Sequence, residues 1–338
     1  MIDLQTTWFL LVGTLLAGYA VLDGFDLGVG ALHLLVKKDE HRRVLLNSIG
    51  PVWDGNEVWL VTGGGALFAA FPVVYATVFS GFYLAMILVL FALIFRAVAI
   101  EFRSKQEMPW WRGLWDVSFS LASIGASFLF GVAFGNVIGG IPLDGAGEFS
   151  GTLLTLLNPY ALLTGVTTVA LFTMHGAIYL ALKTGGEVQA AVRGWINRAI
   201  IFFVICYGTT TMATLLYVPH MGETIKRQPW FFVVVLLTML AIANVPREIH
   251  RRREGRAFVS SSLAVLGLFA LVGIGMYPDL VTATDPARNL TIYNASSSPK
   301  TLAIMLTMAL IGIPLVLAYT VGIYWVFRGK VKLGPMSY

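Results

Sequence analysis

The sequence predicts an all-α integral membrane protein with about nine transmembrane helices, its N-terminus outside and its C-terminus in the cytoplasm. Three observations predict this class. Of the 338 residues, 57% are hydrophobic and only 12% are charged, against roughly 25% charged in an ordinary soluble domain. Apolar stretches of membrane-spanning length recur along the chain, and the basic residues fall in alternate connections between them.

The spans come in order near residues 7–36, 45–71, 73–100, 114–140, 156–182, 199–219, 229–246, 257–278 and 301–327, each able to cross about 30 Å of hydrocarbon as a helix. Only Phe71-Pro72 separates the second from the third. Eighteen of the 23 Lys and Arg residues lie in alternate connections and the tail: Lys37 to Arg43, Arg103 to Arg112, Lys183 to Arg198, Arg247 to Arg256, and Arg328 to Lys332. Lys226, Arg227, Arg288 and Lys300 are the four on the other side. The positive-inside rule makes the first set cytoplasmic. The N-terminus has no basic n-region and runs into the first span, so no cleavable signal is expected. No internal repeat or soluble appendage interrupts residues 1–338, which read as a single polytopic membrane domain.

Two stretches carry the chemistry. Asp23 and Asp26 lie in the first run, and Asp54 and Glu57 in the second, within Pro51-Val-Trp-Asp-Gly-Asn-Glu57. Each pair is spaced i, i+3 and shares a helix face. If both runs are continuous helices, the rise of about 1.5 Å per residue puts Asp26 and Asp54 about 16 Å from the basic hinge at 37–43, and Asp23 and Glu57 about 21 Å from it. An ionisable group near a bilayer centre costs about 2.5–3.5 kcal/mol on insertion scales. Four on adjacent helices therefore call for a use. Proton relay is one, with Asp54 its leading residue and Asp26 next; fixing helix packing is the other. Pro51 frees a backbone carbonyl and can kink the second run just before Trp53. The glycines at 24, 28, 30, 50, 55 and 63–65 let helices approach closely.

Arg96, at the end of the third run, can pair with a buried acid, or snorkel to the interface as long basic side chains do. Snorkelling is the expectation. Asp116 invites an ion pair or a subunit contact. His175 is the one histidine expected well inside a span, and a lone histidine makes no metal site. The single cysteine, Cys206, excludes an internal disulfide and a Cys-ligated cluster. No phosphate-binding loop, nucleophile elbow or metal-spaced His/Glu pair is present, and the basic residues follow the membrane rather than a nucleic acid. The chain's own chemistry reduces to protons.

The segments Asp23-Gly-Phe-Asp-Leu-Gly-Val-Gly30, Gly50-Pro-Val-Trp-Asp-Gly-Asn-Glu-Val-Trp59 and Gly64-Gly-Ala-Leu-Phe-Ala-Ala-Phe-Pro72 resemble subunit II of the cytochrome bd quinol oxidases, bacterial terminal oxidases that reduce oxygen to water. Gly131-Val-Ala-Phe-Gly-Asn136, Leu157-Asn-Pro159 and Asn294-Ala-Ser-Ser297 extend the resemblance to the last span. It implies a heterodimer in the bacterial inner membrane. The partner, subunit I, would hold two haems b, haem d and the quinol-oxidising loop, while this chain ligates no haem or metal. It further implies that Asp54 belongs to a cytoplasmic proton path, that Asp26 matters, and that Glu57, which family members replace with Gln, is dispensable. Trp53, Gly55, Asn56 and Pro51 would support the motif. Small single-span subunits, membrane lipid and a structural quinone are further expected partners. Two competing readings are a free-standing proton-coupled transporter and a purely structural scaffold.

Overall fold

The computed structural model describes residues 3–334 and 337, and they form a helical bundle. Helix α1 (Leu4–Leu32) opens on Asp3, whose carboxylate accepts from the Thr6 amide at 2.7 Å, and closes in a 3-10 turn, His33–Leu35. There follow α2 (Asp39–Ile49), α3 (Trp53–Ala70), α4 (Pro72–Gly81), α5 (Tyr83–Phe102), α6 (Pro109–Gly139), the single turn α7 (Leu153–Leu156) and α8 (Pro159–Lys183). The second half comprises α9 (Gly186–Tyr217), α10 (His220–Arg227), α11 (Phe232–His250), α12 (Glu254–Met276) and α13 (Pro299–Val326). Several long helices start at prolines, whose missing N–H costs nothing in a first turn. Asn158 and Ser298 cap α8 and α13 just ahead of Pro159 and Pro299.

Among the described residues, eight helices are long and apolar enough to cross a membrane: those built on α1, α5, α6, α8, α9, α11, α12 and α13. The expected second and third runs are where sequence and structure differ. Residues 45–71 are not one helix. The amphipathic α2 ends at Ile49, the chain turns through Gly50, Pro51 and Val52, and α3 begins at Trp53. Pro51 thus breaks the run rather than kinking it, because its ring cannot sit inside a helix without displacing the preceding turn. The depth of 16 Å, which assumed a continuous helix, does not follow. Residues 73–100 likewise split at Phe82 into α4 and α5.

Although α3 has only 18 residues, it runs antiparallel along α1. Asn56 meets Leu22 and Asp26, Trp59 lies against Gly18, and Gly63 against Leu15 and Leu16. Its far end is tied to the long connection after α12, where the Ser297 amide donates to the Ala70 carbonyl at 2.8 Å. That connection is an ordered loop holding a small antiparallel pair, β1 (Asp279–Val281) and β2 (Leu290–Thr291).

The five basic segments meet at one end of the bundle. Lys38 pairs with Glu187 at 2.7 Å, Arg103 and Arg112 with Asp39 at 2.7 and 2.9 Å, and Arg193 with Glu254. The Val331 amide donates to the Lys183 carbonyl at 2.8 Å, which lays the tail over the end of α8. Glu187 also holds the exposed Lys38 ammonium above its ordinary pKa by accepting its hydrogen bond.

Candidate functional site: a buried acid cluster between α1, α3 and α5

Asp23 and Asp26 are fully buried, and α1 presents both toward α5. The partner is Arg96, also fully buried. Its Nη1 donates to Asp23 Oδ2 at 2.9 Å, its Nη2 donates to Asp23 Oδ1, and Asp26 Oδ2 lies 4.0 Å from Nη2. The expectation that Arg96 snorkels is therefore wrong. It sits seven residues before Arg103, and its guanidinium lies within 4.0 Å of both Asp23 and Asp26. A fork-shaped guanidinium matches a carboxylate through two parallel bonds.

Asn56 completes the arrangement. Its amide nitrogen donates to Asp26 Oδ2 at 2.8 Å and to the Leu22 carbonyl at 3.2 Å, while its Oδ1 accepts from the Tyr324 hydroxyl of α13 at 2.8 Å. A phenol donating to the amide oxygen fixes which way the amide faces, so Tyr324 sets the Asn56 N–H groups toward Asp26. Glu57, half-buried one residue on, feels the charges of Arg96, Asp23 and Asp54.

Asp54 is different. It occupies the first turn of α3 and is exposed, as are Pro51 and Gly55, whereas Trp53 packs into the core. The first-turn position suits a carboxylate, because unpaired backbone N–H groups and the helix dipole favour negative charge there. The structure therefore brings Asp23, Asp26 and Asn56 together around Arg96, and leaves Asp54 at an open edge one helical turn from Glu57.

Asp116 belongs to a separate cluster at the basic end. Its carboxylate takes His33 Nε2 at 2.5 Å, Arg42 Nη1 at 2.7 Å, and Arg103 Nε and Nη2 at 2.5 and 3.2 Å. Arg103 reaches on to Asp39, so the group ties the ends of α1, α2, α5 and α6. Sequence reasoning missed His33, Arg103 and Tyr324. The signal for the first was its spacing: 33 continues, just past the end of α1, the i, i+3, i+7 face of 23, 26 and 30. On α6, Asp116, Ser120, Ser123 and Ser127, spaced i, i+4, i+7 and i+11, also share one face and are all buried.

Of the two buried histidines, one has no ring nitrogen free for a haem. His175 uses both ring nitrogens, Nδ1 with Ser261 Oγ at 2.8 Å and Nε2 with the Val21 carbonyl at 3.0 Å, and its ring stacks on Phe258. His33 shares Nε2 with Asp116, and its Nδ1 has no hydrogen-bond partner. Among the described residues, no group of three or more His, Cys, Asp or Glu could hold a metal ion.

The glycine readings divide. A Cβ at Gly24 or Gly30 would meet Phe172 or Ser123 at 2.8 and 2.0 Å, and one at Gly28 would lie 1.8 Å from the Phe172 carbonyl oxygen. These three are close-packing glycines. Gly55, Gly64 and Gly65 would meet nothing within 4 Å, so they line an open face of α3 with exposed Asp54, Val58, Val61 and Phe68.

Comparison with known proteins places this geometry. The profile of the family described as cytochrome bd terminal oxidase subunit II matches residues 4–327. The chain is 37% identical to the cytochrome bd-I ubiquinol oxidase subunit 2 of Escherichia coli K12, over 98% of this chain and 97% of that protein. It is 35% identical to the cytochrome bd ubiquinol oxidase subunit 2 of Bacillus subtilis, over the whole of both. The bd oxidase structure from Geobacillus thermodenitrificans contains a chain of the same fold, with a TM-score of 0.79 at 16% identity, covering 96% of this chain and 98% of that one. The chain, a multi-pass protein of the bacterial inner membrane, belongs to the family of cytochrome bd terminal oxidase subunit II.

Proposed function

We propose that this chain supplies protons from the cytoplasm to a ubiquinol:oxygen oxidoreductase, packed against a subunit I that carries two haems b and haem d. Oxygen reduction occurs at the partner's haems and consumes protons. Their uptake from the cytoplasm, with quinol protons released outside, makes turnover electrogenic. The chain acts as one membrane domain of nine crossings, α3 being the ninth, with its N-terminus outside. Small single-span subunits complete the assembly.

The carrying observation is the exposure of Asp54 on the open face of α3, one turn from Glu57, which in turn feels the charges of Arg96 and Asp23. That face, lined by Gly55, Gly65, Val58 and Val61, has the small and apolar residues on which another membrane helix packs closely. A carboxylate there can collect a proton and hand it across the subunit boundary. Arg96 donates to both carboxylate oxygens of Asp23, and the Asn56 amide donates to Asp26. The family names its relatives for ubiquinol, and the quinol assigned here follows those names.

Turnover per haem d in two variants tests the reading. Asp54→Asn is nearly isosteric and still hydrogen-bonds but cannot ionise. It should assemble with full haem content and lose most oxygen-reduction turnover. Asp54→Glu should keep part of it. A scaffold role predicts haem content falling together with activity, and Glu at least as harmful as Asn. Normal turnover per haem d in Asp54→Asn would rule the relay out.

A further inference from the structure

We propose that the turn between α11 and α12 is the headgroup site of a bound anionic phospholipid. The turn is three consecutive arginines, Arg251, Arg252 and Arg253, flanked by Arg247 on α11 and Arg256 on α12. It is a built turn rather than a loose link. The Arg253 amide donates to the Glu248 carbonyl and the Arg252 amide to that of Ile249, both at 3.0 Å. Arg252 stands at φ +56°, a left-handed conformation that favours glycine. A helix-ending turn of this form takes glycine most readily, yet the chain places a long cationic side chain there.

The charge is not balanced within the protein. Among the described residues, the side chains of Arg251, Arg252, Arg253 and Arg256 make no hydrogen bond or ion pair, and Arg247 reaches only the Asn244 amide oxygen at 3.3 Å. Of the two nearby carboxylates, Glu254 is taken by Arg193 and Glu248 is buried in the helix packing. His250 is exposed beside them. All five arginines are exposed.

The apolar surface below supplies the second half of the argument. On α11 the exposed residues Leu236, Leu240 and Ala243 are spaced i, i+4, i+7 and lead to Arg247 at i+11, so one face ends in a guanidinium. On α12 Arg256 heads the face of Val259, Leu263 and Leu266, spaced i+3, i+7 and i+10. Leu236, Leu240, Val259 and Leu263 are each more than half exposed. An aliphatic stripe running along the membrane and ending in arginine is complementary to one molecule class: acyl chains joined to a phosphate. Arginine binds phosphate through two parallel N–H bonds and stays charged. Free phosphate would use the turn but not the stripes, and a zwitterionic lipid would leave the excess charge unmatched.

The test uses the purified, delipidated oxidase complex containing this chain, titrated with phosphatidylglycerol or phosphatidylcholine vesicle lipid and read by native mass spectrometry. Wild type should bind phosphatidylglycerol more tightly than phosphatidylcholine by about tenfold or more. Arg251→Gln/Arg252→Gln/Arg253→Gln should lose that preference with haem bands unchanged, while Lys330→Gln/Lys332→Gln keeps it. Equal binding of the two lipids by wild type overturns the proposal, and so does an unchanged preference in the triple variant. Displacement by millimolar inorganic phosphate would show an adventitious ion site. Loss of the partner subunit from the triple variant would show a protein contact instead. If the triple variant fails to assemble, the wild-type lipid comparison and the single Arg252→Gln variant decide.

Discussion

Arg96 on α5 grips both carboxylate oxygens of Asp23 on α1, and neither side chain reaches the surface. The pair also faces a second acid on the same helix, Asp26, at 4.0 Å. One cation thus stands between two carboxylates, and the Asn56 amide supplies the hydrogen bond that the more distant acid lacks from Arg96. The cluster is organised by its cation, which is why four acids could not be understood from the acids alone.

Removing the cation should therefore cost more than removing its nearer partner and itself together. Breaking a buried ion pair from one side costs about 3–5 kcal/mol, because it strands a desolvated charge. Arg96→Gln leaves two buried carboxylates without a counterion, and Asp23→Asn leaves an arginine facing Asp26 only. Each single variant should lower the thermal midpoint and the haem content of the complex. Arg96→Gln/Asp23→Asn should recover part of both. Additive losses in the double variant would show that the two residues are not coupled.

The class of fold was legible in the sequence because it depends on summed properties: long apolar runs and the one-sided basic residues. The five basic segments that alternate along the chain do meet at one end of the bundle. The break before Trp53 was half legible. Pro51 announced a disturbance, but Leu45, Leu46 and Ile49 leading into the apolar stretch beyond it conceal that α2 packs as a separate amphipathic helix. Arg96 was misread for a physical reason. Hydropathy counts depth along one helix and cannot see that Asp23, 73 residues earlier, waits opposite it. His33 escaped notice because it lies at the end of a span, where exposure is expected, while Asp116, Arg42 and Arg103 close over it. The acids themselves were legible as an i, i+3 pattern; which of them is exposed was not.

The same division between inward and outward residues predicts opposite outcomes for two glycines. At Gly28 a methyl group would overlap the Phe172 carbonyl at 1.8 Å, where α1 and α8 approach backbone to backbone, and the facing Gly176 would strike the Gly28 backbone at 2.5 Å. Relief requires the helices to part. Gly28→Ala should sharply reduce the amount of assembled, haem-containing complex recovered from the membrane. Gly55→Ala adds a methyl where nothing lies within 4 Å, and in a helix it replaces a less favourable residue by about 1 kcal/mol. The isolated chain should tolerate it. If it also lowers recovery of the complex, the open face of α3 is covered in the assembly.

Orientation in the membrane decides from which side Asp54 can take protons, and the fold supplies suitable positions to label. The connection between α6 and α7 contains Gly145 and Gly147, at the end opposite the basic segments. Gly147 has φ +79°, so a side chain there is strained, whereas Gly145 is exposed and has open space around it. Gly185, between α8 and α9, is exposed at the basic end with only Lys330 side-chain atoms nearby, at 3.6 and 3.8 Å. The native thiol, Cys206, is buried and can be replaced by serine to remove background. In intact cells carrying Cys206→Ser, a Gly145→Cys variant should react with a membrane-impermeant thiol reagent. Gly185→Cys should react only after the membrane is opened. The reverse pattern would put the arginine turn and the α2 end of the acid cluster outside, and a cytoplasmic proton supply through Asp54 would have to be abandoned.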